Sequence, residues 1–310
     1  MDIKKLAAID IGSNGVRLLI SNVLEEAGEN PKFTKASLVR VPIRLRADVF
    51  IDGLISPENT DRLADAMEAF RLLMKVNQVK AYRACATSAM REATNGQAVA
   101  DEVLKRIGVQ IDIIDGSEEA EIIVSTDISS FIKSDKNYLY IDVGGGSTEF
   151  TVFSNGKMKK SRSFPIGTVR LLDNKVSDKT WKEVQEWIEK HTANCQPIEA
   201  IGSGGNINKI HKNSNSREGD PLTYEYLTDY YTYVSGYTYD ERIRLLGFNP
   251  DRADVILYAL TVFINAMKWS KAPIVTCRVL GWLMESLELF TTKKTNENRR
   301  YYKHCPTNYY

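Results

Sequence analysis

The sequence predicts an α/β protein built from two related halves, and three observations carry that prediction. Its 310 residues exceed what one ordinary core organises, so two domains are expected. Strand and helix patterns alternate through the first part of the chain and then begin again near residue 138. At both starting points an apolar strand ends on an aspartate, Asp10 or Asp142, and a small-residue turn leads straight into another strand. One such turn is ordinary hairpin chemistry, whereas two that open the two halves indicate a duplicated β-rich domain. The domains are accordingly set at 1–126 and 127–310, the second carrying helical additions and a basic C-terminal tail.

The elements follow in order. Leu6–Asp10 reads as an apolar strand and Val16–Val23 as its return, with further strands at Phe33–Val41 and Lys80–Thr87, all rich in β-formers. Pro57–Val76 has Leu63, Met67, Phe70, Leu73 and Met74 at helical spacing, and Ser56-Pro57 is a good helix start. A helix over Gln97–Ile107, a strand over Gln110–Ile114 and a helix over Gly116–Phe131 complete the first half. In the second, Tyr138–Asp142, Thr148–Phe153 and Met158–Phe164 read as strands, Trp181–His191 as a helix and Ile198–Ile201 as a short strand. From there to about Leu289 the pattern is largely helical, and the apolar face near Val255–Met267 suits internal packing and a homodimer equally.

Composition narrows the function. A net charge of +1 argues against a general DNA or RNA binder. The N-terminus has no signal-peptide pattern and no apolar run is long enough to span a bilayer, so no membrane partner is expected. Cys85, Cys195, Cys277 and Cys305 form no CxxC pair, and with only three histidines no zinc pattern arises. A reducing, cytoplasmic setting is the expectation.

The chemistry concentrates in the glycine-containing turns. Glycine lets backbone N–H groups crowd around an anion with no β-carbon in the way. In Asp10-Ile11-Gly12-Ser13-Asn14 and Asp142-Val143-Gly144-Gly145-Gly146-Ser147-Thr148, short hydroxyl and amide side chains add further donors. An aspartate beside a polyanion calls for a cation, and Mg²⁺, which binds through one or two carboxylates plus phosphate oxygens, fits that demand. Glu149 follows Asp142 by seven residues across the turn, so both carboxylates can approach one side of it. A third cluster, Gly202-Ser203-Gly204-Gly205, lies between a strand and a helix, which is a further anion-binding geometry. Neither a Walker loop nor a dinucleotide fingerprint is present.

These turns, with Ala86-Thr87-Ser88-Ala89-Met90-Arg91-Glu92-Ala93-Thr94-Asn95, Gly116-Ser117-Glu118-Glu119-Ala120-Glu121 and Phe164-Pro165-Ile166-Gly167, resemble the ordered motifs of the exopolyphosphatase/guanosine pentaphosphatase (Ppx/GppA) family over roughly residues 5–210. The resemblance implies an actin-like, sugar-kinase/Hsp70-type fold with its site in an interdomain cleft. It implies Mg²⁺-dependent hydrolysis of a terminal phosphoanhydride in polyphosphate, with guanosine pentaphosphate as the alternative substrate. By position, Glu119 matches the family's general base, Asp142 and Glu149 its metal- and water-orienting carboxylates, and Arg91 a phosphate-contacting arginine. The residues alone leave Glu118, Glu119 and Glu121 equivalent as bases, since acids in a first helical turn also serve the helix dipole.

The expected phosphate-binding set is therefore Asp10, Gly12, Ser13, Asn14, Arg91, Gly144, Gly145, Gly146, Ser147, Thr148 and Gly204, with Glu119 and Glu149 catalytic. Gly15 stands where the family usually has serine, and Arg46 where it often has glycine. The helical extension of longer relatives is missing, which shifts the expected substrates toward short polyphosphates or nucleotide tails. Lys157, Lys159, Lys160 and Arg162, and separately Lys293, Lys294, Arg299, Arg300 and Lys303, offer electrostatic tracks or merely solvated surface. The rivals are an actin-like small-molecule kinase and a non-catalytic sensor of guanosine tetraphosphate or polyphosphate.

Overall fold

The computed structural model describes residues 2–25, 31–115, 118, 132–217, 219–277 and 303–304. The chain divides into two compact units, Met1–Asp127 together with Trp282–Tyr310, and Ile128–Gly281.

In the first unit β1 (Asp2–Gly12), β2 (Gly15–Glu25) and β3 (Lys32–Val41) form an antiparallel meander. After α1 (Leu45–Asp52) and α2 (Pro57–Val76), β4 (Ala81–Ala86) returns parallel to β1. After α3 (Ser88–Glu92) and α4 (Gly96–Ile107), β5 (Asp112–Ile113) pairs parallel with β4. The sheet order is thus β3-β2-β1-β4-β5. The helix α2 spans the residues its periodicity predicts. The Ser56 side chain accepts from the Asn59 N–H, and Pro57 supplies the first helical position. Leu63, Met67, Phe70 and Met74 enter the core, but Leu73 lies on the solvent side, 36% exposed. The strand expected over 110–114 shortens to two residues. The helix expected over 116–131 falls outside the described residues except for Glu118, which is helical.

The second unit repeats the plan. Here β6 (Asn137–Val143), β7 (Thr148–Ser154) and β8 (Lys157–Phe164) form the meander. Next come α5 (Thr168–Leu172) and α6 (Asp178–Thr192), and then β9 (Ile198–Ser203), parallel to β6. The chain continues through α7 (Gly205–Asn213), β10 (Leu222–Thr223), α8 (Tyr224–Ser235), α9 (Tyr239–Arg244), α10 (Pro250–Ala253) and α11 (Ile256–Ser270). It ends its described course in β11 (Ile274–Cys277), parallel to β9. The order β8-β7-β6-β9-β11 matches that of the first sheet, strand for strand, with β10 added at the edge. This repeated plan, three antiparallel strands followed by parallel crossovers, is the duplicated actin-like fold that the sequence predicts.

The described stretch after residue 204 is largely helical, as expected, and β11 completes the parallel part of the sheet. The apolar face of α11 is used inside the unit, where Ile256, Ala259, Leu260, Phe263 and Met267 are all buried. At the other end of the sheet Phe150, Phe164 and Trp187 meet edge-on or tilted, with ring centroids 5.9–6.5 Å apart. No helix among the described residues is long and apolar enough to cross a membrane. Lys303–His304 forms a further strand, β12, antiparallel to β4.

Candidate functional site

Each unit presents a turn where the first strand of its meander ends. In the second unit, residues 144–147 join β6 to β7 and are tied down from behind. The Thr168 N–H donates to the Gly144 carbonyl at 3.0 Å, the Val169 N–H to that of Gly145 at 2.8 Å, and Arg170 Nε to that of Gly146 at 2.9 Å. Three successive carbonyls are therefore occupied on one side. Among the described residues, no backbone carbonyl accepts from the amides of Gly145, Gly146 and Ser147. A turn with its acceptors engaged and its donors available is a cradle for an anion. Gly167 makes the bracing possible, since a β-carbon there would lie 2.3 Å from Gly145 and Gly146 backbone atoms.

The carboxylates sit at the root of this turn. Asp142 and Glu149 are direct partners across the antiparallel β6/β7 pair, so their side chains share one face of the sheet. Glu149 is 3% exposed, and its Oε1 accepts from Ser147 Oγ and Ser163 Oγ, each at 2.7 Å. Thr148 is buried, and its hydroxyl donates to the Ile166 carbonyl, bracing the turn from within. The third glycine cluster joins the same place. Gly204 has φ +109°, and a β-carbon on it would lie 3.0 Å from the Val143 carbonyl oxygen and 3.5 Å from Asp142 Oδ1. The second and third turns are thus brought together within one unit.

The first unit has the same frame with a different charge pattern. Asp10 occupies the position of Asp142, but its partner across β1/β2 is Arg17, whose Nη1 stands 3.6 Å from Asp10 Oδ2. Burial raises the carboxyl pKa of Asp10 above the usual range, opposed by the Arg17 charge. Here too the turn carbonyls are engaged, that of Ser13 by the Arg46 N–H at 3.2 Å and that of Asn14 by Arg40 Nη2 at 3.2 Å. Gly12 also keeps the hairpin tight, since its β-carbon would lie 3.3 Å from the Gly15 carbonyl.

This contrast tests the fit of a cation. The first turn carries its own positive partner. In the second, two carboxylates stand opposite one another on one face of the sheet, an arrangement that offers oxygen donors to a divalent cation. Among the described residues no group of three or more metal-ligating side chains occurs. The donor set therefore suits Mg²⁺, which keeps most of its shell for water and phosphate oxygens, and does not suit an all-protein cage.

The acidic segment after β5 is partly visible. Asp115 Oδ1 accepts from the Glu118 N–H at 2.8 Å, and Arg83 Nη2 donates to Glu118 Oε1 at 2.6 Å. Glu118 is thereby committed to an ion pair, while Glu119 lies outside the described residues. Arg91 extends to the same region, donating to the Ile114 carbonyl at 2.7 Å.

Two arginines stand at these turns outside the expected site residues, Arg46 having been noted only as a departure from the family pattern. Arg252, in α10, places Nη2 2.9 Å from where a β-carbon on Gly205 would stand, so a guanidinium lies at the third glycine turn. Asn249-Pro250, a helix start just ahead of it, was the available signal. Arg46 is 1% exposed beside Ser13, a burial that periodicity assigns to apolar residues and not to a basic one.

Residues 27–277 match the Ppx/GppA phosphatase family. The chain belongs to that family. It is 33% identical over 207 residues to a bifunctional 3-dehydroquinate synthase/phosphatase of Fusobacterium nucleatum, covering 63% of this chain and 31% of that one. It is 30% identical over 178 residues to exopolyphosphatase 2 of Mycobacterium tuberculosis, covering 56% of this chain and 55% of that one. The matches thus span between about a third and about half the length of these relatives. In fold it is similar to the crystal structure of an exopolyphosphatase from Cytophaga hutchinsonii, with a TM-score of 0.79 at 22% identity over 93% of this chain and 98% of that one.

Proposed function

We propose that this Ppx/GppA family chain is a phosphohydrolase that removes terminal phosphate from inorganic polyphosphate. The observation that carries the reading is the second turn, whose carbonyls are tied back above the paired carboxylates Asp142 and Glu149. Donors on the turn and a cation demand beneath it together suit a phosphoanhydride, whose transition state spreads negative charge over its equatorial oxygens.

Bound through Asp142 and Glu149, Mg²⁺ would neutralise phosphate charge and fix phosphate oxygens in place. Ser147 and Ser163 hold the Glu149 carboxylate in one orientation. The amides of residues 145–147 receive charge that develops on the transferred group, and Arg252 adds a fixed cation at the third turn. Among the described residues no Cys-His or Ser-His side-chain pair presents itself, so a carboxylate is assigned to accept the proton of the attacking water. Glu118 is occupied by Arg83, which leaves Glu119 and Glu121, and of these the family resemblance implies Glu119 as the base.

The test is phosphate release in Mg²⁺ from short polyphosphate, long polyphosphate and guanosine pentaphosphate. Release from polyphosphate that falls at least about 100-fold in Glu119→Gln but stays within about threefold in Glu118→Gln supports the assignment. Release only from the nucleotide moves the substrate to guanosine pentaphosphate. Tight binding without turnover, unchanged in Glu119→Gln, makes the chain a sensor and overturns the hydrolase reading.

A further inference from the structure

We propose that Arg83 is a positioning residue for the reaction. It acts through Glu118, fixing where the acidic helix begins and with it the residue bonded next in the chain, Glu119. The inference rests on the hydrolase reading for the role of Glu119, but not for the clamp itself.

The chain leaves the first sheet here with little ladder behind it. The strand β5 has two residues, and the Ile114 N–H, which donates to the Ala86 carbonyl at 3.0 Å, adds one more rung. So short a pairing holds the backbone only weakly beyond Ile114. Side chains supply the rest. Arg91 donates to the Ile114 carbonyl at 2.7 Å and fixes the strand end. Asp115 Oδ1 accepts from the Glu118 N–H at 2.8 Å, the bond a cap makes to the third residue of a helix. Arg83 takes hold of the same residue by its carboxylate, Nη2 donating to Glu118 Oε1 at 2.6 Å, while its Nε stands 3.7 Å from Asp112 Oδ2. One planar guanidinium thus joins the last strand to the first helical turn across the bend between them.

Burial decides which partner leads. Arg83 is 5% exposed and belongs to β4, which pairs with β1 on one side and β5 on the other. The side chains of Asp112 and Glu118 are 26% and 38% exposed. A buried guanidinium on a strand paired along both edges has little room to move, whereas a carboxylate at the surface has several rotamers open to it. Arg83 therefore sets the position and Glu118 adopts it. Adjacent acids then have separate duties, Glu118 binding the frame and Glu119 facing the chemistry in the hydrolase reading. A base has to be held within about 0.5 Å of its working place by residues that are themselves locked. In that reading the phosphates rest on the glycine turns and not on this segment, so loosening the clamp reaches turnover and spares substrate binding.

The experiment measures kcat and KM for phosphate release from short polyphosphate in Mg²⁺, and amide hydrogen exchange in peptides covering residues 112–119. The variants are Arg83→Met, Arg83→Lys, Glu118→Leu, Glu118→Gln and the Arg83→Met/Glu118→Leu double. In Arg83→Met and Glu118→Leu, kcat should fall about 10- to 100-fold with KM within about threefold of the parent. Exchange in the 112–119 peptides should quicken at least about tenfold in the same two variants. Lysine at 83 reaches one carboxylate but not both, so it should recover part of kcat. Glu118→Gln keeps an oxygen that accepts from Nη2, so both readouts should stay within about threefold of the parent. The double variant should be no slower than the worse single one, because both changes remove one clamp. Unchanged exchange, quicker exchange with unchanged kcat, a rise in KM alone, or additive losses in the double variant overturns the proposal. If Arg83→Met does not fold, Glu118→Leu and Arg83→Lys decide by the same two readouts. A parent that releases no phosphate, yet shows the exchange changes, sinks the hydrolase reading and leaves the clamp standing. Turnover that depends on Glu119 and not on Arg83 sinks this proposal alone.

Discussion

Substituting Gly167 by alanine isolates the second turn from everything around it. The backbone there has φ −119° and ψ 164°, extended geometry that alanine adopts without strain. Space is the obstacle, because the new β-carbon would lie 2.3 Å from the carbonyl carbon and oxygen of Gly145 and the nitrogen of Gly146. Ordinary contact begins at 3.4 Å, so the two segments must part by about 1.1 Å, the difference of those distances. The Thr168–Gly144 and Val169–Gly145 hydrogen bonds, now 3.0 and 2.8 Å, would stretch past bonding range. Losing two neutral backbone bonds costs about 1–3 kcal/mol of stability. The effect on activity should be larger in kind, since a shift of about 1 Å in a catalytic element can lower the rate about 100-fold. The assay is kcat/KM for phosphate release, set against Tm. Gly219→Ala serves as the control, with φ +92° but no neighbour within 4 Å of its β-carbon, so that stability falls and activity per folded molecule does not. If Gly167→Ala keeps kcat/KM within about threefold of the parent while its Tm drops, the 144–147 turn does not hold the reacting phosphate.

Three further outcomes are expected. Glu149→Gln keeps an acceptor for Ser147 and Ser163 but removes one of two opposed charges, so Tm should hold or rise while Mg²⁺ activation of phosphate release falls about 100-fold in a metal titration. Asp10 has a folded-state pKa raised by burial, so its ionisation penalises the fold progressively as pH rises above the ordinary carboxylate value; the gain in Tm from Asp10→Asn should therefore be larger at pH 7 than at pH 4, and an equal gain at both would refute this. Arg83→Met leaves Glu118 and Asp112 without their cation, but both are partly solvated, so chemical denaturation should show a loss of about 1–3 kcal/mol and not a collapse.

Much of the architecture was legible because it rests on local rules. Ser56-Pro57 and the apolar period mark α2 at both ends, and the two Asp-ended strands reveal the duplication before any pairing is known. The misses have physical causes. β11 is a four-residue strand, and its Ile-Val-Thr-Cys run is too short for periodicity to separate from the helix before it. Leu73 fits the helical stripe by spacing, yet the packing of α2 leaves it on the wet side. Arg46 looks like one of two ordinary basic residues flanking Leu45, and only the descent of the chain from β3 into α1 buries it.

By itself the sequence located the glycine turns at the strand ends, because glycine, serine and aspartate there constrain the backbone wherever they occur. It also determined that the fold repeats, since the hydrophobic pattern repeats. Only the tertiary structure decided which charges meet at those turns. Register across each hairpin sets Arg17 opposite Asp10 and Glu149 opposite Asp142, so two matching turns acquire different charge pairings. The bracing of residues 144–147 by Thr168, Val169 and Arg170, and the seating of Arg46 under Ser13, join segments distant in sequence. Such contacts follow from how strands pair and helices pack, which no local pattern encodes.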